Sequence, residues 1–220
     1  MAWVALVLFC TYFLIGFVIR TAVHVWHTGD SGFRGLTGTP GSAEWWAGVL
    51  FAAALLVGIF GPLAGIAGLP VLPLLDHVGV QAVGIAIAVG GIAGVLVTQV
   101  AMGQSWRVGV EESECTEFVA RGPFAVVRNP FFTTTLLTGG GIALAVPNAL
   151  AVVGWALLLV AIQLQVRVVE EPYLRRQHGA MYEHYLHSVG RFFPGVGLES
   201  ASHASAKVGR ARRARSGRSR

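Results

Sequence analysis

Long uncharged apolar runs constrain this chain more than any other feature. Between Trp45 and Trp106 the only charged residue is Asp76, and no charge occurs from Asn129 to Val166. Such runs exceed the roughly 18 apolar residues that indicate a transmembrane helix. Charged residues make up 12% of the chain, against roughly 25% in ordinary soluble domains. A soluble enzyme, a secreted disulfide scaffold and a disordered protein are therefore excluded.

The apolar runs divide into five predicted helices. The dipeptide Pro147-Asn148 is a turn signal that splits the last run in two. The first run has no positive residues before it, which indicates a retained helix rather than a cleavable signal. The sequence thus predicts an all-α polytopic membrane protein with five transmembrane helices: Ala2–Ile19, Trp45–Ala67, Val78–Met102, Pro130–Val146 and Ala149–Val169.

Small residues recur at helical spacing inside these runs. Gly61 with Gly65, Gly90 with Gly94, and the run Gly139–Gly141 would let helix backbones approach closely. This is the usual packing device where lipid removes the hydrophobic drive for association. We therefore interpret most of the 29 glycines as structural.

The sixteen basic residues indicate the orientation. All of them lie in the segments that follow the first, third and fifth predicted helices. With five spans these segments share one side of the membrane, which the positive-inside rule makes cytoplasmic. The predicted topology has the N-terminus outside and the C-terminus in the cytoplasm, and the expected location is the bacterial cytoplasmic membrane.

Polar residues collect in two cytosolic segments, 103–129 and 167–194, each of which adjoins membrane spans. The first contains the run from Thr116 to Phe132, TEFVARGPFAVVRNPFF. It resembles the segment leading into the RHPxY motif of isoprenylcysteine carboxyl methyltransferases. The second resembles the same family's later motif, a Glu pair followed by spaced Gly, Tyr and Pro. Its matching residues are Glu170, Glu171, Leu174, Gly179, Tyr182, Tyr185 and Pro194. The related phospholipid methyltransferases have similar Asn-Pro and Glu-Glu-Pro variants.

The resemblance implies an integral-membrane methyltransferase that uses S-adenosylmethionine. By this resemblance Asn129, Pro130 and Phe132 hold the cofactor from the fourth helix, and Glu170 or Glu171 from the fifth. Phe193 and Pro194 would close over the adenine.

The chemistry of the residues agrees with this interpretation. Carboxylates accept from an ammonium or a ribose, and an aromatic face attracts a sulfonium cation. Tyr182 and Tyr185 supply the aromatic groups. For catalysis we expect Arg167 or Arg128 to orient a carboxylate acceptor, since Arg binds carboxylates in bidentate fashion. We expect Glu170 to deprotonate an amine acceptor.

The acceptor itself is not implied. Asn129 and Phe132 replace the His and Tyr of the isoprenylcysteine pattern, and Thr134 replaces its Gly. The expected substrate is a lipophilic molecule, either an isoprenoid or lipid carboxylate or a lipid amine. The chain then divides into acceptor-side helices (1–102), a methyltransferase core with the cytosolic cofactor site (103–195) and a disordered basic tail (196–220).

The tail contains Lys207 and six arginines and no acidic residue after Glu199. Near an anionic leaflet each cation contributes about 1 kcal/mol, so we expect the tail to bind anionic membrane lipids. Nucleic acid is not expected as a partner, because no aromatic residues interleave with the basic ones.

Other interpretations remain open at this point. The Glu pair alone is compatible with a solvated helix end that pairs with Arg175 and Arg176. A nicotinamide-dependent membrane reductase of the sterol-reductase type would share the architecture, and a non-enzymatic membrane scaffold would use the tail to recruit partners. The pairs His24/His27 and His184/His187 lack a further ligand at a convincing spacing, so no metal site is predicted.

Overall fold

The chain is described from a computed structural model, which covers residues 1–32, 35, 36, 38–103 and 118–199. Within these ranges the protein is helical, and two isolated β-bridges, Val127 with Gly190 and Phe193 with Val196, are the sole extended pairings. The prediction of an all-α chain is confirmed. Trp106, Cys115 and almost all of the basic tail lie outside the described residues.

Six main helices follow one another in the part of the chain that the structure describes. They are α1 (Ala2–Thr28), α2 (Ala43–Ile66), α3 (Val78–Met102), α4 (Pro130–Ala145), α5 (Ala149–Leu164) and α6 (Glu171–Ser188). A 3₁₀ turn, Pro73–Leu75, precedes α3, and a single helical turn, Pro123–Val126, precedes α4. The predicted helix positions agree with these bounds, except that α1 continues to Thr28 and the helical stretch from Ala149 continues beyond Val169 to Ser188.

Four of the described helical stretches are long and apolar enough to cross a membrane: α1, α2, α3 and the continuous stretch Ala149–Ser188. Helix α4 is shorter, at 16 residues. It begins with Pro130, whose missing N–H costs nothing at the first helical position.

The stretch Ala149–Ser188 is continuous but irregular. Between α5 and α6 it widens into a π-helix, Gln165–Glu170, which ends two residues before Pro172, a residue that has no N–H to donate to the preceding turn. Further on, α6 kinks at Gly179, where φ is 50° and ψ is −126°. Only glycine adopts this backbone conformation readily, so the kink depends on that residue.

Two close helix pairs form the bundle, α3 with α4 and α2 with α5. A Cβ atom on Gly141 would lie 2.5 Å from the Gly84 carbonyl oxygen, and one on Gly61 would lie 2.8 Å from Ala151. The predicted small-residue packing is therefore correct for Gly61 and Gly141. Of the predicted pair on α3, Gly94 also lies against α4, where a Cβ atom would be 2.4 Å from Thr134, but Gly90 has no atom within 4 Å of its Cβ position, and Gly91 makes the other close contact.

Polar side chains inside the bundle are satisfied by neighbouring helices. Asn148 caps α5 by accepting from the Ala151 N–H (2.9 Å) and donates its amide to the Gly61 carbonyl (2.7 Å). The amide of Gln99 donates to the carbonyl of Gly16, which lies in a π-helical stretch of α1 (2.7 Å). These bonds join the helices where an unpaired polar group would be costly.

Candidate active site

The two motif-bearing segments meet at the end of the bundle where α4 begins. The N–H of Arg128 donates to the Gly190 carbonyl (2.8 Å), and the N–H of Asn129 donates to the Arg191 carbonyl (3.1 Å). The side-chain amide of Asn129 donates to the same Arg191 oxygen (3.2 Å). Residues about sixty positions apart in sequence are thus joined by backbone pairing.

Residues 190–196 form a tight turn beside this pairing. The Arg191 N–H donates to the Val196 carbonyl (2.8 Å), and the Val196 N–H donates to the Phe193 carbonyl (3.1 Å). A Cβ atom on Gly190 would lie 2.0 Å from the Phe193 carbonyl oxygen. Because no real side chain fits at that distance, the turn requires glycine at position 190.

Glu171, the first residue of α6, is held by two arginines. Arg191 binds it with two bonds, from Nε to Oε1 (2.7 Å) and from the second terminal nitrogen to Oε2 (2.9 Å). Arg128 donates to Oε1 from the other side (3.1 Å). Glu171 and Arg128 are buried. For Glu171, the alternative of a solvated helix end that pairs with Arg175 and Arg176 is therefore wrong.

This cluster continues outward as an alternating chain of charges. Arg191 faces Glu199 (3.7 Å), Glu199 binds Arg175 (2.5 Å), and Arg175 binds Glu183 (3.1 Å). Side-chain exposure rises along it from 1% at Arg128 to 36% at Glu183. Three arginines and three glutamates thus form one ionic network that runs from the protein interior to the surface.

Burial and the paired charges shift the pKa values in this network. Burial lowers the pKa of Arg128, while the charge of Glu171 opposes the change. Hydrogen bonds to Glu171 raise the pKa of Arg191. Burial alone would raise the pKa of Glu199, but the hydrogen bond and charge of Arg175 lower it below the ordinary carboxyl value. These shifts keep Glu199 ionised at neutral pH.

Arg128 joins three parts of the site. In addition to Glu171, it donates to the Leu186 carbonyl near the end of α6 (3.0 Å) and to the Gly197 carbonyl (3.0 Å). Its Nε is buried and has no hydrogen-bond partner among the described residues. Arg128 therefore fixes the start of α4 against α6 and the turn, and the N–H of its Nε has no acceptor among the described residues.

An aromatic cluster lies beside the ionic network. Phe118 packs edge-on against Tyr182 (5.9 Å between ring centroids) and Tyr185 (5.2 Å). The Tyr185 hydroxyl donates to the Phe124 carbonyl. Tyr182 lies within electrostatic range of Glu170, Glu171 and Arg128. The two tyrosines named from the sequence therefore lie at the same site as the Glu pair.

The structure brings together six of the predicted site residues and places the other five elsewhere or at its edge. Gathered at the network are Arg128, Asn129, Glu170, Glu171, Tyr182 and Tyr185. Pro130 is buried at the start of α4, and Phe132 packs into the bundle against Phe51 (6.4 Å). Arg167 is exposed and bonds Gln163 (2.9 Å), while Phe193 and Pro194 are exposed on the turn.

Four members of the network were not predicted as site residues: Arg191, Glu199, Arg175 and Glu183. Arg191 stands directly before the Phe-Phe-Pro sequence of the motif, which was the available signal. No sequence pattern indicated Glu199, because its partners Arg191 and Arg175 lie eight and twenty-four residues away in sequence.

The residues present fit the cofactor that the resemblance implies. The unpaired Nε of Arg128 is a donor suited to a carboxylate, and Glu170 and Tyr182 offer oxygen atoms that accept from an ammonium or a ribose. The rings of Tyr182 and Tyr185 lie buried beside these groups, so they would face a cation only after Phe118 moves away. Bound together, these groups would hold a methyl donor beside the first turn of α4.

Comparison with known proteins agrees with this interpretation. The family model described as phospholipid methyltransferase matches residues 80–181, which include α4, α5 and the Glu pair. No curated protein and no solved structure matches the chain. Members of this family are membrane methyltransferases and generally use S-adenosylmethionine. Over these residues, slightly less than half of the chain, the protein is similar to the phospholipid methyltransferase family.

Proposed function

We propose that this protein is an integral-membrane enzyme that transfers a methyl group from S-adenosylmethionine to a lipophilic acceptor. The observation that carries the proposal is the junction of the two motif segments, Arg128-Asn129 and Glu170-Glu171, at one end of an apolar bundle. The family match over 80–181 supports methyl transfer as the reaction.

We further propose five membrane spans, with the N-terminus outside and the site facing the cytosol of a bacterial cytoplasmic membrane. Helix α4 would be the short span, because 16 residues rise about 24 Å, less than the roughly 30 Å hydrocarbon core. Local thinning of the bilayer accommodates such a mismatch. The placement of all sixteen basic residues after odd-numbered spans supports this orientation.

The members of the Glu pair have different proposed roles. Glu171 is neutralised by two arginines, so we assign it to positioning the segments around the site. Glu170, beside it and only partly buried, would accept from the cofactor's ammonium or ribose. Asn129 and Pro130 would shape the wall at the start of α4, and the buried Tyr182 would support Glu170 from behind.

When bound, S-adenosylmethionine supplies an electrophilic methyl group on a sulfonium. The acceptor's lone pair forms the new bond to this carbon as the carbon–sulfur bond breaks, and that electron pair stays on the neutral thioether. A carboxylate acceptor has no proton to lose, whereas an amine acceptor gives one up, for which Glu170 is the nearest base. Of the two predicted orienting arginines, Arg167 is exposed, and Arg128 is engaged by three acceptors. Arg167 is therefore our assignment for the acceptor's polar group.

A narrow crevice between α1, α2, α4 and α5 would take the acceptor's apolar chain if these helices moved apart. Small residues such as Gly58, Gly139 and Gly154 line it, and Tyr12 contributes a hydroxyl that donates to Thr135 (3.2 Å). Thr135 lies five residues after Pro130, roughly 8 Å along the helix from the proposed cofactor site. A chain entering sideways from lipid would thus extend away from the reacting group.

Calorimetric titration of the detergent-solubilised protein with S-adenosylhomocysteine tests the cofactor assignment. Replacing Glu170 by Gln removes one charge-assisted hydrogen bond, so affinity should fall by roughly 10- to 100-fold. The matched control is Asp76→Asn, the same chemical change at the opposite end of the bundle, which should bind like the wild type. Absence of binding by the wild type would refute the proposal, and unchanged binding by Glu170→Gln would refute the role of that residue.

Mass spectrometry identifies the acceptor class. Lipid extract is incubated with the protein and S-adenosylmethionine that carries a deuterated methyl group, and the labelled product is isolated. A labelled ester indicates a carboxylate acceptor, and a labelled amine indicates a lipid amine. If no lipid acquires the label while the protein binds the cofactor, the lipophilic acceptor is wrong.

A further inference from the structure

The turn at residues 190–198 reaches below the start of α4 into the bundle. The Thr133 hydroxyl donates to the Phe192 carbonyl (3.1 Å), and Thr133 is the fourth residue of α4. That position lies roughly 5 Å along the helix axis from Pro130. The Phe192 ring packs with Leu158, Ile162 and Val166 of the membrane-spanning stretch. The backbone of this turn therefore lies at the depth of the first turn of α4.

The next residues of the same turn expose apolar side chains. Phe193 and Val196 are each 61% exposed and Leu198 is 45% exposed, and Pro194 is exposed between them. Their backbone is fixed by the bonds to residues 128 and 129 and by the ionic network through Arg191. An apolar group held rigidly outward at this depth faces the boundary between headgroups and acyl chains.

The charge of the segment that follows the turn indicates that a lipid surface contacts these exposed apolar side chains. Residues 200–220 follow directly and contain seven basic residues and no acidic one. Basic segments next to a membrane are attracted to anionic headgroups, and aromatic side chains such as Phe insert beside them. A protein partner would have to match both this charge and the membrane depth of the turn.

We propose that Phe193, Pro194, Val196 and Leu198 form an interfacial anchor that inserts into the leaflet surrounding the first turn of α4. The anchor holds the turn, and through Arg191 and Glu171 the start of α6, at a fixed height against the lipid. The cofactor site is then kept at a constant depth relative to the leaflet that contains the acceptor. This inference depends on the membrane-spanning topology and not on methyl transfer.

Spin-label accessibility tests the anchor in the full-length protein. Cys10 and Cys115 are replaced by Ala, a single cysteine is introduced as Phe193→Cys, and the labelled protein is placed in nanodiscs of phosphatidylcholine and phosphatidylglycerol in equal parts. The matched control is Met181→Cys on α6, another exposed apolar residue (55%). Oxygen concentrates in lipid, and a water-soluble nickel chelate stays outside it.

At position 193 we expect collisions with oxygen to exceed those with nickel, and at position 181 the reverse. Nickel-dominated collisions at 193 would place the turn in water and overturn the proposal. Low collision rates with both reagents would mean that protein or cofactor covers the turn, which would also overturn it, as would equal preferences at the two positions. The measurement needs no turnover, so its failure is distinguishable from failure of the methyltransferase proposal.

Discussion

Replacing Glu171 by Gln tests whether the ionic network holds the site together. The substitution preserves shape but removes the negative charge between Arg128 and Arg191. Of the three hydrogen bonds that the carboxylate accepts, two end on Oε1 and one on Oε2. The new amide group would point its N–H bonds at a guanidinium, which also has only donors to offer.

The expected loss of stability follows from the burial of Glu171, Arg128 and Arg191. Exposure is 7% for Glu171, 1% for Arg128 and 13% for Arg191, so water cannot replace the lost charge. Removing one partner of such a buried pair costs about 3–5 kcal/mol. We expect the lower end, because Arg128 keeps two carbonyl acceptors. For a chain of this length, about 3 kcal/mol corresponds to a fall in Tm of roughly 6–12 °C.

Thermal unfolding in detergent, followed by tryptophan fluorescence, measures this change. Glu183→Gln is the control at the exposed end of the same network, where an ion pair contributes about 0–1 kcal/mol. Its Tm should differ from wild type by no more than a few degrees. Equal shifts in the two variants, or a Glu171→Gln protein as stable as wild type, would refute the reasoning. A double-mutant cycle with Arg191→Gln should give a coupling energy of about 1–3 kcal/mol.

Three further predictions follow from single contacts. Gly190→Ala places a methyl group 2.0 Å from the Phe193 carbonyl, so the turn should open at a cost of about 1–3 kcal/mol, visible as faster amide exchange at residues 190–197; unchanged exchange would contradict this. Asn148→Ala removes a helix cap and the side-chain bond to the Gly61 carbonyl of α2, which should lower stability by about 1–3 kcal/mol in the same unfolding assay; a loss below about 0.5 kcal/mol, typical of surface substitutions, would count against it. Because the pKa of Glu199 lies below its unfolded value, its contribution is complete above the unfolded pKa and disappears as pH falls through the folded pKa. Glu199→Gln should therefore be less stable than wild type at neutral pH and converge with it under acid conditions, and parallel curves would exclude the effect.

The helices were predictable from the sequence because their boundaries depend on local features. Pro130 and Asn148 set the starts of α4 and α5, and the charge-free runs set their extent. Helical spacing correctly predicted that Gly61 and Gly141 lie where two helices contact each other. It chose Gly90 instead of Gly91, because adjacent glycines give the same pattern and only the partner helix distinguishes them.

The location of the site was predictable from the sequence, but the ion-pair partners within it were not. Sequence motifs gathered Arg128, Asn129 and the Glu pair at one end of the bundle. Spacing along a regular helix suggested Arg175 as a partner of Glu171, yet its true partners come from the start of α4 and from the turn beyond α6. The kink at Gly179 brings Glu183 to Arg175. Neither long-range ion pairs nor helix breaks leave a periodic trace in the sequence.

The π-helical segment Gln165–Glu170 has a consequence for which insertions and deletions the protein tolerates. A π segment holds one residue more per turn than an α-helix does, so removing a residue there would restore regular winding to the whole stretch from α5 to α6. Because six π-helical residues and five α-helical residues turn through about the same angle, the span would gain regularity and Glu171 would keep its direction toward the two arginines. One deletion here should therefore be tolerated, whereas a second would rotate Glu171 by roughly 100° about the helix axis and separate it from both arginines. In relatives of this chain, the number of residues between the cap of α5 and the Glu pair should therefore differ by no more than one.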